Sequence, residues 1–194
     1  MARIPGVPAR RAGRVGRLAY RIMGSMYGEL PEPATVWRHH RRIFWTWSMW
    51  ELGNQRALHV LDPALRDLAL HRVATRIGCS WCIDFSTMLG LRAGASPERF
   101  AELDDYATSS RYTDDERAAL AYADAMVDTP LTVTDEQVAD LERRLGADGL
   151  VELTYAVALE QLRSRFNHAL GITAQGFTAT CAVTSPGSAP RTPR

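Results

Sequence analysis

No stretch of this chain alternates apolar and polar residues between tight turns, so a sheet with one buried face is not available to it. The one β-branched run, Thr129 to Thr134, is short and contains Pro130. What recurs instead is apolar spacing of three and four residues, punctuated by helix starts and stops. Asp62-Pro63 supplies an N-cap followed by proline at the first helical position. Leu65, Leu68, Ala69, Val73 and Ile77 then run along one face until Gly78 ends the pattern. Ser96-Pro97-Glu98 marks another start, and Thr113 to Glu116 has the Thr-x-x-Glu pattern of a capping box. The fold class predicted is all-α, with about seven or eight helices.

The remaining helices follow from the same signals. Leu18, Ile22, Met23 and Met26 recur at helical spacing before Gly28, and a long helix is predicted from Ala34 to His59, interrupted near Gly53. Its Val36, Trp37, Ile43, Phe44, Trp47, Trp50 and Leu52 make a broad apolar surface of the kind that forms core or a subunit interface. His39 and His40 point about 100° apart on a helix and make a poor chelating pair. Further helices are expected from Cys79 towards Gly94, from Thr134 to Leu145, and from Asp148 to about Gly171. On the last of these Arg163, Arg165, Asn167 and His168 cluster. Arg163 and Asn167, one turn apart, are placed to line a pocket for an anionic group or to bridge subunits.

A chain of 194 residues is long enough for one helical domain, expected over residues 17–180, with an Arg-rich mobile tail over 1–16 and a disordered tail over 181–194. A net charge of +1 argues against a surface that seeks nucleic acid or anionic membrane, and no apolar stretch is long enough to cross a bilayer. All 23 basic side chains are Arg, and six of them precede the first acid, Glu29. No apolar run follows those arginines as a secretory signal requires, so a cytoplasmic location is expected. Three cysteines, two of them close together, fit a redox or metal motif in a reducing compartment.

The chemistry concentrates between Asp67 and Phe85. Cys79 and Cys82 are spaced as Cys-x-x-Cys, after a glycine and at the opening of a helix. One helical turn brings two sulfurs within reach of a disulfide. The unsatisfied amides and the dipole of a helix N-terminus stabilise a thiolate there, which makes a nucleophile that the second cysteine can resolve. Spacing alone leaves open which cysteine attacks. A structural zinc site needs four ligands, and only Cys181 and His71 offer themselves beyond the pair. Trp81 is expected to cover the cysteines, and Asp84 to favour the helix dipole while damping thiol reactivity.

The segment from Leu65-Arg66-Asp67-Leu68 to Gly78-Cys79-Ser80-Trp81-Cys82-Ile83-Asp84 resembles the signature of the carboxymuconolactone decarboxylase superfamily, in particular its alkylhydroperoxidase-D-like (AhpD-like) branch. The resemblance spans roughly residues 30 to 180 and takes in the His39-His40 region, the Gly94 to Glu98 helix start and the Thr113 to Glu116 helix start. It implies an all-helical protein that assembles into trimers or hexamers and carries Glu-x11-Cys-x2-Cys-x3-His. By that resemblance Cys79 and Cys82 are the peroxidatic and resolving pair. The glutamate position holds Asp67 and the histidine position holds Ser86. A serine hydroxyl passes a hydrogen bond but is no base near neutral pH, whereas His71, one turn after Asp67, offers a replacement imidazole.

The candidate catalytic set is therefore Cys79, Cys82, Asp67, His71 and Ser86, with neither cofactor nor metal. The expected function is a thiol-dependent oxidoreductase running a dithiol/disulfide cycle on a peroxide or other small molecule. Expected partners are a thiol reductant or lipoylated protein and further copies of the chain, with no nucleic acid and no membrane. Ser86 also admits a catalytically weakened binding or stress-associated protein of the same fold, likewise oligomeric.

Overall fold

The computed structural model describes residues 2–179, so Cys181 and the tail expected over 181–194 lie outside the described residues. Among the described residues the secondary structure is helical and no strand occurs, as the absence of alternation predicts. The α-helices are α1 (Gly13–Tyr27), α2 (Glu32–Trp37), α3 (Arg41–Ala57), α4 (Pro63–Ile77), α5 (Ser80–Arg92), α6 (Pro97–Ala101), α7 (Asp114–Val127) and α8 (Asp135–Ala169).

Most starts are where local chemistry puts them. The Asp62 carboxylate accepts the amide hydrogens of Ala64 and Leu65 at 2.8 and 3.2 Å, capping α4. Capping boxes pair Thr113 with Glu116 at α7 and Thr134 with Gln137 at α8. Each such cap stabilises its helix by about 1 kcal/mol. Within α8, Gly146 takes φ +72° and ψ 166°, a conformation open essentially to glycine alone, and divides the helix where the sequence predicted two.

Two expectations are corrected. The long helix predicted from Ala34 to His59 breaks at Arg38–His40 rather than at Gly53. His40 is extended (φ −105°, ψ 90°), and its imidazole accepts the Ile43 amide hydrogen as the N-cap of α3. Gly53 stays inside α3. The segment expected to be a mobile tail is tied to the body, because its backbone groups find fixed partners. The Arg3 amide donates to the Leu170 carbonyl at 2.7 Å, that of Val7 donates to the Thr35 carbonyl at 2.9 Å, and Arg38 donates to the Ala12 carbonyl.

The main core lies between α4, α7 and α8, where Leu65, Ala69, Val73, Ala119, Ala123, Leu153 and Val157 are buried together. Each fully buried Leu or Val side chain there stabilises the fold by roughly 1.5–3 kcal/mol. A second cluster surrounds the cysteines: Val36, Ala74, Trp81, Met88, Ile172 and Phe177 pack with Cys79 and Cys82. Its α5 framework is positioned against the end of α4 and the last turns of α8.

Candidate active site

The turn from α4 into α5 is built by Gly78. It takes the left-handed conformation (φ +76°), and the amides of Gly78 and Cys79 both return to the Ala74 carbonyl at 3.0 Å. This delivers Cys79 to the N-cap of α5, where its Sγ accepts the Cys82 amide hydrogen at 3.3 Å. Cys79 and Cys82 are joined in a disulfide with their Cα atoms 5.3 Å apart. A free Cys79 thiol in this position would face backbone N–H groups and the positive end of α5, which favour its thiolate.

The Cys82 sulfur has a different partner. Asn167, near the end of α8, points its Nδ2 at the Cys82 Sγ at 3.4 Å. Both cysteines are buried, with 1 % and 5 % of their surfaces exposed. The cover is aromatic. Trp81 stacks on Phe85 with ring centres 4.7 Å apart, and Phe177 meets both rings edge-on.

A strap over residues 170–179 completes the enclosure. Asp84 is its anchor: one carboxylate oxygen takes the amides of Gln175, Gly176 and Phe177 at 2.8–3.0 Å, and the other takes the amide and hydroxyl of Thr178. Burial by itself pushes the Asp84 carboxyl up, but the Thr178 hydroxyl and the amides of Thr178, Phe177 and Gly176 outweigh it and hold the pKa below the ordinary carboxylate value. Gln175 joins strap to helix by accepting from the Trp81 indole N–H at 2.7 Å and from the Glu32 amide.

The other predicted site residues separate. His71 and Ser86 come together: the imidazole Nδ1 and the serine hydroxyl share a 2.8 Å hydrogen bond, with His71 edge-on to Phe100. Burial lowers the His71 pKa from 6.5 to about 4, so the ring is neutral at pH 7. Asp67 does not meet His71 as their one-turn spacing suggested. Its carboxylate binds the neighbouring Arg66 guanidinium at 3.0 and 3.1 Å, on a side chain 35 % exposed. Arg163 and Asn167 likewise form no shared anion pocket, because Arg163 forks onto Glu51 while Asn167 faces Cys82.

The structure adds Glu160 and Ser164, which motif reading passed over, and sets Asn167 in line with them rather than with Arg163. Glu160, Ser164 and Asn167 form a buried polar line on α8, with the Ser164 hydroxyl donating to Glu160 at 2.8 Å. Burial raises the Glu160 carboxyl to about 7, against the lowering pull of Arg163. The signal was in the sequence: their i, i+4, i+7 spacing continues the face of Leu153, Ala156 and Val157.

Residues 45–125 match the model of the carboxymuconolactone decarboxylase family. The uncharacterized protein YnjA of Escherichia coli (strain K12) is 35% identical over 151 residues, which is 78% of this chain and 83% of YnjA. The chain belongs to the carboxymuconolactone decarboxylase family. Solved structures share the fold at lower identity. The debrominase Bmp8 superposes with a TM-score of 0.78 at 19% identity, covering 92% of this chain and 96% of Bmp8. A peroxidase-related protein from Ralstonia eutropha JMP134, described as an alkylhydroperoxidase AhpD core, gives 0.75 at 14% identity over 91% of this chain and 94% of its own. A Bmp8 variant with a cysteine replaced by alanine is known in complex with 2,3,4-tribromopyrrole.

Proposed function

We propose that this protein is a thiol-dependent oxidoreductase that cycles Cys79 and Cys82 between dithiol and disulfide, with a hydroperoxide as its oxidising substrate. The observation that supports this most is the disulfide itself, formed at the N-terminus of α5. In the forward half-cycle one thiolate attacks the peroxide, so that an S–O bond forms, the O–O bond breaks and the departing alkoxide takes up the proton the thiol released. The second thiol then attacks the sulfenic sulfur, the disulfide forms and water leaves. An external dithiol, small or lipoyl-bearing, returns two electrons and two protons by exchange.

His71 is uncharged at neutral pH and bonded to Ser86, so it has no imidazolium proton to give the alkoxide. The proton that reaches the alkoxide is the one the attacking thiol gives up.

Peroxide consumption with dithiothreitol as reductant tests the reading. Wild type is expected to turn over, and Cys79→Ser and Cys82→Ser each to lose at least about a hundredfold, the scale of losing a covalent catalytic group. Full activity in Cys82→Ser would end the dithiol reading. Absence of turnover in wild type would favour the weakened binding protein. The likeness to Bmp8 brings in a second substrate class, halogenated heteroaromatics, where a thiolate takes the halogen, carbon takes a proton and the second thiol expels halide as the disulfide closes. A bromopyrrole supplied in place of peroxide separates the two.

We also infer that the chain self-associates, on the evidence of apolar side chains left at the surface of α1 and α3, among them Val15, Leu18, Ile22, Ile43 and Met49.

A further inference from the structure

Arg10, Arg11, Arg14, Arg17 and Arg21 are all exposed, and among the described residues none of their guanidinium groups has an ion-pair or hydrogen-bond partner. Arginines of α4 and α8 behave otherwise: Arg72 pairs with Asp124, and Arg144 with Asp140. No acid occurs before Glu29, so α1 carries nothing of opposite sign on its own turns, and the net charge of +1 averages this basic end with an acidic remainder. Beside the arginines runs an apolar stripe. Val15, Leu18, Ile22 and Met26 recur every three or four residues along α1 and are 66 %, 53 %, 50 % and 50 % exposed. At about 100° per residue, α1 divides into three faces roughly a third of a turn apart. Gly16 and Tyr20 meet the body, Arg14, Arg17 and Arg21 form the second face, and the stripe forms the third.

Both outer faces look away from the core. A helix of this kind suits the boundary of a bilayer, where apolar side chains enter the acyl region and arginines reach back to the headgroups. We propose that α1 docks this protein on an anionic lipid surface, lying in the plane of the interface rather than crossing it. Charge selects that occupant. A second copy presenting its own α1 would set arginine against arginine, which leaves the Ile43 and Met49 face of α3 for the self-association inferred above. A nucleic acid would pair the arginines but leave the stripe in water. Anionic headgroups over acyl chains satisfy both faces at once.

The test is co-sedimentation of the full-length protein with vesicles of phosphatidylglycerol and phosphatidylcholine in equal parts, compared with vesicles of phosphatidylcholine alone. Wild type is expected to pellet with the anionic vesicles, to stay in solution with the neutral ones, and to bind more weakly as salt is raised. Arg14→Gln, Arg17→Gln and Arg21→Gln combined are expected to weaken partitioning about a hundredfold, at roughly a factor of five per charge. Leu18→Gln alone is expected to weaken it about tenfold. All four positions are exposed, and far-UV circular dichroism checks that each variant keeps its helix content. Wild type left in solution with the anionic vesicles overturns the proposal and gives the stripe to a second copy. Equal binding to neutral vesicles, or a triple variant that binds as wild type does, overturns it as well. So does a Leu18→Gln partition within twofold of wild type, since charge alone then holds the helix and any polyanion would serve.

Discussion

His71 shows how far burial moves a single side chain from the role its type suggests. Seated against Phe100 and bonded to Ser86, it is held neutral, with its pKa lowered to about 4. The unfolded chain protonates the same ring near 6.5, so between pH 6.5 and 4 the unfolded state binds a proton that the folded state does not. Stability therefore falls as pH drops through that window, by up to roughly 3 kcal/mol. Urea unfolding of wild type is expected to show the decline and His71→Gln to flatten it, while a His71 ring resonance titrating near 6.5 would contradict the assignment. Asp67 makes the complementary point. Its place in the motif was legible, but its partner was set by the direction in which Arg66 folds, and periodicity does not specify that.

On the scale of elements, α5 and the 170–179 strap act as a unit because one carboxylate accepts a run of backbone amides from the strap. Asp84 has a depressed pKa, so its contribution is present above the unfolded value of 3.8 and is lost as pH falls through the lower folded value. Asp84→Asn places an N–H group among amide donors and is expected to cost about 1–3 kcal/mol in denaturant unfolding. The same variant is expected to speed reduction of the Cys79–Cys82 disulfide several-fold by loosening its cover. A rate equal to wild type in a destabilised variant would show that the strap does not limit access. Helix starts at Asp62, Thr113 and Thr134 were readable, because a cap bonds only to amides two or three residues ahead. The break at His40 was not, because an imidazole is an uncommon cap and the glycine downstream was the stronger local signal.

For the molecule as a whole, the division is between a core that closes on itself and an N-terminal pair of helices that does not. Only Gly16 and Tyr20 of α1, and only Phe44 and Asn54 of α3, are buried. Val15 and Met49 remain 66 % and 64 % exposed. Sedimentation equilibrium is expected to return a multiple of 21.6 kDa for wild type and a smaller mass for Leu18→Glu combined with Met49→Glu, with helix content unchanged. A monomeric wild type would leave those faces without a partner and remove the inference. Among the described residues no helix is long and apolar enough to cross a membrane, in keeping with the polar faces between the apolar stripes.

By itself the sequence determined whatever depends on neighbours a few residues apart: the helical class, most boundaries, the Cys-x-x-Cys pair and the family to which it points. Hydrophobic period and capping are short-range and survive without a fold. Tertiary structure alone decided which polar groups meet across helices. It gave His71 to Ser86, Asp84 to the strap, and Asn167 to Cys82, because such pairings depend on how α4, α5 and α8 pack and on the need of buried polar atoms for partners.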